Sequence, residues 1–568
     1  MRGSVALVLW AASLAVSAFG QADQNPAEPT IQPLTEIPMP PRIGVMGQTP
    51  ISLPEVIERV LKSDRDLEIS RILREEAGYN VTGAKGAFDP VLGFRGYHTK
   101  AVTPIASLIG GAANGQLINT EWNGAPSVNG VIPWSGGSYT TTFTNSRQVT
   151  NSTFTVVNPQ YPTSLRIDLT QPLWRGLRFD DNRYRLQVAR KNAQLSDEQF
   201  RQRVIEVVTA AIQTYWELVY ASQSYDVQAE AVRLAEQQYA SNRRQAEQGI
   251  LSPIDVVAAQ TQVATFQQNL FLAQQALTQA ENNVKAMILP NRNDLMWGAA
   301  LIPETQPATE ATLPTLQDAI QEALRSRPEL AESTINLDVN RLDQKRSEEA
   351  AKPRVDAFAT LTSSGLAGIP LPPGPNPFTA GFVALGAYVN QLGALAGLPP
   401  IPPVSTGGGG LPPSLVGSYG QSLHNIAAGN FPTAQVGVQF SLPLRNRTAE
   451  AQVAVSAAEG RRLSAVREQV GIAIEADVRN SMQAVASAQA RLAAASVASR
   501  SAQAQYESEQ RQLQAGTSTV FLVLQRQTDF INARNREVRS RADLAEAAAN
   551  FDRATARTLD AHNIKVQP

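Results

Sequence analysis

The chain has no cysteine among its 568 residues and only three histidines, His98, His424 and His562, far apart and in unlike surroundings. The first absence excludes disulfides, thiolate metal sites, cysteine nucleophiles and the acylated N-terminal cysteine of a bacterial lipoprotein. The second leaves no histidine cluster for metal binding or catalysis. The formal net charge is -1, so the basic footprint that nucleic acid demands is missing too. No nucleophile elbow, zinc signature or phosphate-binding loop occurs. Paired carboxylates are present (Glu348 with Glu349, Glu507 with Glu509), but they sit in charge-dense stretches and read as solvated faces. No cofactor and no enzymatic activity are expected.

Long apolar runs are scarce as well. The run from Val5 to Val16 follows Arg2 and precedes Ala18-Phe19-Gly20, a small-x-small site before Gln21. That is the pattern of a cleaved export signal over residues 1–20. The alternative, a short membrane anchor, is disfavoured because the apolar stretch falls short of a comfortable span. Residues 21–50 are proline-rich and read as an extended leader. Gly381 to Leu398 is apolar enough to raise a membrane helix, but its glycines, Asn390 and Gln391 favour a flexible loop with a short helical piece.

What is present is a duplication. Ser52-Leu53-Pro54-Glu55-Val56-Ile57, running on to Leu67, is echoed by Thr315-Leu316-Gln317-Asp318-Ala319-Ile320, running on to Leu330, and Pro90 and Pro353 keep the same spacing. Leu169 to Leu173 reappears as Phe440 to Leu444, each ending in Pro-Leu. Gly249 with Gln260-Thr261 reappears as Gly516 with Gln527-Thr528. Matches in one order mean two copies of one unit, so shared features belong to the architecture. The copies are placed at 51–290 and 315–561, joined by a linker at 291–314 and followed by a tail at 562–568.

Each copy opens with a short amphipathic helix (about 52–63 and 315–326) and a second helix leading up to Pro90 or Pro353. The period then changes to two. Leu165-Arg166-Ile167-Asp168-Leu169-Thr170 and Gln435 to Leu442 alternate strictly between apolar and polar, the mark of a strand with one oily and one wet face. Weaker strands precede them, with Phe94, Tyr97 and Phe358. The four strands are expected at about 88–98, 164–173, 354–363 and 434–444. Between the strands of copy one, residues 99–163 are rich in Thr, Ser, Asn and Gly and read as a long insertion. Between those of copy two, residues 363–433 are rich in Gly, Pro and Ala. No charged residue occurs from Ala357 to Leu444, which points to an environment unlike that of the helices.

The helical period then returns and persists. Asn182 to Gln248 holds neither glycine nor proline, roughly 100 Å of helix at 1.5 Å per residue. Arg447 to Gln514 is interrupted only by Gly460 and Gly471. Each long helix stops at a tight turn, within 248–253 and 515–519. Gly249 suits the left-handed position that ends a helix, Ser252 can cap the next helix, and Pro253 suits its first turn. The returning helices are expected to run to about Leu289 and about Leu559.

Four strands cannot close a membrane barrel, and an open edge in lipid leaves backbone groups unpaired. Closure demands other chains: three would supply twelve strands, two would supply eight. Leu165, Ile167, Leu169, Val436, Val438 and Phe440 would then face lipid. Arg166, Asp168, Thr170, Gln435, Gln439 and Ser441 would face a watery lumen.

The doubled order of short helix, helix, strand, strand, long helix, glycine turn and returning helix resembles the TolC family of outer-membrane channel proteins. The segments Gly249 to Val256 and Gly516-Thr517 to Leu524-Gln525 are similar to that family's tip motif. The resemblance covers roughly residues 50–561. It implies a mainly α, internally duplicated protomer that gives four strands to a trimeric twelve-stranded outer-membrane β-barrel. Its helical hairpins would build a periplasmic α-helical barrel. It further implies a passive exit duct for a tripartite efflux pump or type I secretion system. The partners would be a periplasmic adaptor, an energised inner-membrane transporter and outer-membrane lipid. By position, the adaptor would dock at Gln248, Gly249, Ile250, Ala515, Gly516 and Thr517, where the glycines also serve simply to turn the chain. A pore constriction would fall at Asp255 and Gln525. Copy two holds Leu522 where copy one has Asp255, and Ser518 where some members carry arginine. Asp255 is equally a first-turn carboxylate favoured by the helix dipole. The competing reading is a periplasm-spanning tether of coiled coils without a pore, which accounts for the helices but not for the alternating strands.

Overall fold

Two unbroken helices of 67 and 68 residues dominate the chain. The structure is a computed structural model and describes residues 38–106, 115–372, 380–402 and 411–565. The expected export signal and most of the leader lie outside the described residues.

In chain order the first half forms β1 (Gly47–Ile51), α1 (Leu53–Ser63), α2 (Arg65–Lys85), β2 (Val91–Pro104), β3 (Gln116–Val131), β4 (Ser138–Thr150), β5 (Val157–Gln160), β6 (Thr163–Pro172), α3 (Asp181–Glu247) and α4 (Pro253–Ile288). The second half forms β7 (Ala299–Pro303), α5 (Leu316–Ser326), α6 (Pro328–Ala351), β8 (Arg354–Gly365), β9 (Gly368–Pro370), α7 (Ala380–Leu395), α8 (Tyr419–Ala427), β10 (Phe431–Ser441), α9 (Arg447–Gln514), α10 (Val520–Ala554) and α11 (Thr558–Ala561). The chain divides into two units that cut across both copies. One holds residues 38–65, 204–325 and 475–565, and the other holds the described residues of 66–203 and 326–474.

In the first unit the hairpin helices bury a continuous apolar seam. Val227, Ala231, Tyr239, Val256, Phe266, Val520, Val523 and Phe530 belong to it, drawn from α3, α4 and α10, with Tyr506 from α9. Small residues such as Ala231 and Ala259 let helix axes approach closely, and wet flanks remain for the charged side chains. Gln262 Nε2, next to the Gln260-Thr261 pair of copy one, donates to Thr528 Oγ1 at 2.9 Å and ties α4 to α10.

The stretches read as leader and linker are partly structured. β1 and β7 pair in parallel, Gly47 opposite Ala299 through Ile51 opposite Pro303. Tyr215, fully buried on α3, fastens this pair: its hydroxyl donates to Ile51 O (3.3 Å) and accepts from Thr305 N (3.0 Å). Five-residue strands bounded by prolines carry too few residues for a period to show, so the pattern did not reveal them. Beside them, buried Glu281 is ion-paired by Arg42. Lys285 Nζ donates to Trp297 O at 3.1 Å. Burial pushes the Lys285 ammonium below the usual lysine value, against the opposing pull of Glu281.

Both long returning helices end near their expected limits, but α10 stops at Ala554 and not at Leu559. Ala556 takes a left-handed φ of 57°, with Ala556 N donating to Arg553 O and Arg557 N to Asp552 O. This is the Schellman pattern built on alanine, so no glycine announced it.

The second unit holds the sheet, whose continuous path is β10-β8-β6-β4-β3-β2, with β5 and β9 paired off it. The four expected strands are present as β2, β6, β8 and β10. The insertion at 99–163 is not simply a loop: β3 and β4 come out of it and lie between β2 and β6. Composition hid them, because Thr, Ser, Asn and Gly also make loops. Pro126, moreover, argues against a central strand, yet it sits where the β3–β4 register skips Ala125 and Pro126. In copy two the corresponding loop forms β9, α7 and α8. Gly381 to Leu398 falls largely on α7, and no described helix is long and apolar enough to cross a membrane. α8 packs on β6 and β8, where Thr163 Oγ1 and Ser422 Oγ share a buried hydrogen bond of 2.6 Å. Gly460 marks a close approach of α9 to α6: a Cβ there would lie 2.7 Å from both Asn340 Oδ1 and Gln344 Nε2, whose side chains would have to shift, whereas Gly471 has open space.

Removing the arginine of the Arg42–Glu281 pair strands a buried carboxylate, which costs about 3–5 kcal/mol when a buried pair is broken. Arg42→Ala is therefore expected to lower the thermal unfolding midpoint clearly, and Arg42→Lys, which keeps a cation beside Glu281, to lower it less. Calorimetry on the purified protein checks both.

Candidate functional site: the hairpin tips and the two-faced sheet

The two tips are built alike. At the first, Gly249 N donates to Ala246 O (2.9 Å) and Ile250 N to Gln245 O (2.9 Å). At the second, Gly516 N donates to Leu513 O (3.1 Å) and Thr517 N to Gln512 O (2.9 Å). Both are Schellman endings with glycine in the left-handed position, φ 76° in each case. A Cβ added to Gly249 or Gly516 would meet nothing within 4 Å, so the backbone angle and not crowding demands glycine.

The next helices start differently. Ser252 occupies the capping position of α4 but its side chain caps nothing, and Pro253 starts the helix as expected. In copy two Thr519 accepts from Leu522 N at 3.4 Å, and Ser518 hydrogen-bonds Glu509. The structure therefore corrects the serine cap: the proline start alone defines the first turn of α4.

Gln248, Gly249, Ile250, Ala515, Gly516 and Thr517 are all exposed. Apolar side chains join them at the surface: Ile250 is 67% exposed, Ile254 57% and Phe521 70%. Directly beneath, Val256, Val520 and Val523 are buried in the apolar seam. Tyr506 stacks parallel on Phe530, ring centroids 6.0 Å apart, and its burial, with the charge of Glu230, holds its phenol above the usual tyrosine value. A buried apolar seam thus carries an exposed, partly oily cap. Asp255 lies in the first turn of α4, half-buried, its N–H bonded to Ser252 O at 3.0 Å. Gln525 is exposed on α10.

In the sheet, register decides which side chains share a face. Leu165 stands opposite Phe143 and Ser363, Ile167 opposite Thr141 and Leu361, and Leu169 opposite Tyr139 and Ala359. Leu361, Ala359 and Ala357 in turn face Ala434, Val436 and Val438. On the other face Arg166, Asp168 and Thr170 stand opposite Thr362, Thr360 and Phe358, which continue to Thr433, Gln435 and Gly437. Gln439 and Ser441 share that face, opposite Asp356 and Arg354. The expected lipid-facing and lumen-facing sets therefore segregate onto opposite faces.

The wet face carries its own pairing. Arg166 Nε donates to Asp168 at 2.8 Å, Thr360 Oγ1 donates to Asp168 Oδ1 at 2.7 Å, and Arg354 pairs Asp356 at 2.5 Å. The oily face is open to its surroundings, with Val436 83% and Phe94 76% exposed. A continuous apolar sheet face of this kind is stable against hydrocarbon and not against water. Among the described residues no group of His, Asp and Glu is placed to hold a metal ion.

A model of the outer membrane efflux protein family matches residues 138–288 and 409–557, more than half of the chain. The chain belongs to that family. No curated protein matches it by sequence. Solved structures of similar fold include CusC, at 13% identity and TM-score 0.58, with 94% of this chain and 98% of that chain covered. CmeC, the outer membrane channel of Campylobacter jejuni, is 13% identical with a TM-score of 0.57, covering 89% of this chain and 86% of that one. The MtrE channel of Neisseria gonorrhoeae, solved in its open state, is 14% identical with a TM-score of 0.56, covering 89% of each. As an outer membrane efflux protein, the chain is an exit duct in the outer membrane with a periplasmic helical extension. The tether reading, which left the two-faced sheet unexplained, falls away.

Forcing a side chain into the left-handed position of a tip costs about 1–2 kcal/mol. Gly249→Ala or Gly516→Ala is expected to speed amide exchange at the affected turn by roughly tenfold, by the relation of 1.4 kcal/mol to a factor of ten. The seam below should exchange unchanged. Hydrogen-exchange mass spectrometry resolves the two.

Proposed function

We propose that this efflux protein works as a homotrimer whose hairpin tips dock a periplasmic adaptor, through which an inner-membrane transporter drives cargo into the duct. One observation supports the docking most directly. Two glycine-terminated tips of identical hydrogen bonding expose Ile250, Ile254 and Phe521 above a rigid apolar seam. The chain itself offers no motif for consuming chemical energy, so it conducts passively and its partner supplies the work. Asp255 and Gln525 are the candidate constriction, on the returning helices just past the tips. Arg166, Asp168, Thr170, Gln435, Gln439 and Ser441 line the lumen, and the apolar face meets outer-membrane lipid. Export of small toxic compounds is the favoured use, with type I protein secretion as the other.

The test begins with a deletion strain complemented by Ile250→Glu, Phe521→Glu or both. The expected result is normal outer-membrane level and trimer mass with at least tenfold greater susceptibility to exported compounds, and loss of adaptor cross-linking. Full resistance together with an unchanged secretome in the double variant would remove the docking role. Unchanged compound tolerance together with a changed secretome would move the cargo to protein.

A further inference from the structure

The hairpin β3–β4 has the build of a barrel segment. It runs the full height of its neighbours: β3 pairs with β2 from Gln116 opposite Pro104 to Asn129 opposite Val91, and β4 with β6 from Ser138 opposite Thr170 to Asn145 opposite Thr163. It is two-faced in the same sense as the rest. Every second residue of β4 from Ser138 to Thr150 is Ser, Thr or Gln, and the register places these on the wet face with Arg166 and Asp168. On the oily face the hairpin presents Ile118, Trp122, Val128, Tyr139, Phe143 and Val149, in rows with Leu92, Phe94 and Ile167; Thr141 and Asn145 interrupt it, and Arg147, opposite Trp122, lies on it beyond the last β4–β6 pair, Asn145 with Thr163. A loop lying over an aqueous surface has no use for such alternation, because both of its faces are wet.

The two edge strands complete the argument. β2 and β10 flank the path, and each has its outer ladder edge unpaired among the described residues. An unpaired strand edge in hydrocarbon costs several kcal/mol per backbone group. Strand directions alternate along the whole path, since every pairing in it is antiparallel. With six strands, β2 of one protomer is antiparallel to β10 of the next, so protomers join without a break in alternation.

We infer that β3 and β4 are staves of the membrane barrel, so that each protomer lays six strands and not four, with β2 of one protomer pairing with β10 of the next. Resting on the trimer proposed above, this makes a barrel of eighteen strands. Barrel diameter grows about linearly with strand number, so the pore is about 1.5-fold wider than a twelve-stranded one. The added width comes from copy one alone, and it leaves selection of cargo to narrower parts of the duct.

The natural absence of cysteine makes the test direct. Single variants Trp122→Cys, Val128→Cys and Phe143→Cys, and Asn123→Cys, Thr142→Cys and Thr144→Cys, are spin-labelled in lipid bilayers. Accessibility to oxygen and to a water-soluble nickel chelate is then measured. The expected result is opposite phases: oxygen high at the first three positions, nickel high at the second three. Nickel access at all six would place the hairpin in water, outside the membrane or inside the lumen, and overturn the inference. Strands counted per protomer by cryo-electron microscopy in nanodiscs give a second reading, where six supports it and four overturns it. A protomer number other than three would sink the trimer while leaving six strands per protomer standing.

Discussion

A backbone amide facing hydrocarbon can send its hydrogen bond only to another strand or along its own helix. The sheet of this protein is organised by that constraint. Its six-strand path pairs every interior edge, its side chains sort by alternate position into an oily and a wet face, and the groups left over lie on β2 and β10. Among the described residues the path ends in two unpaired edges, and in hydrocarbon such edges call for neighbouring chains, the same requirement that builds the sheet.

The helical hairpins answer to a different balance. Their residues live in water, so a narrow apolar seam of valine, alanine and aromatic rings holds them together while charge covers the remainder. The seam ends where the chain must reverse, and both copies solve the reversal with glycine at φ 76° and the same pair of backbone hydrogen bonds. The turns are thus part of the duplicated architecture. The exposed side chains around them differ between copies, Ile250 and Ile254 in one and Thr517 and Phe521 in the other.

The copies diverge most between their strands. Copy one folds the intervening chain into a full-height hairpin, and copy two folds it into α7, α8 and a short strand. Both segments are polar or uncharged and poor in regular pattern. Thr141 and Asn145 on the oily face of β4, with Gly124 and Pro126 on that of β3, blur the alternation that made β6 and β10 legible. β1 and β7 were hidden for another reason: each is five residues long, and they find each other across more than 240 residues of chain. The end of α10 at an alanine lacked the glycine that marked Gly249 and Gly516.

The sequence by itself determined the duplication, the long helices, the glycine turns and the two-faced character of the strongest strands, because each is a local property of spacing and residue type. Arg166, Asp168, Thr170, Gln435, Gln439 and Ser441 were separable from their apolar neighbours for the same reason. Only the tertiary structure decided which strands stand beside which, that Thr- and Asn-rich chain becomes sheet, and that Ser252 leaves its helix uncapped. Those outcomes depend on partners distant in sequence: a threonine-rich segment is loop or strand according to whether a neighbouring ladder is there to take its hydrogen bonds.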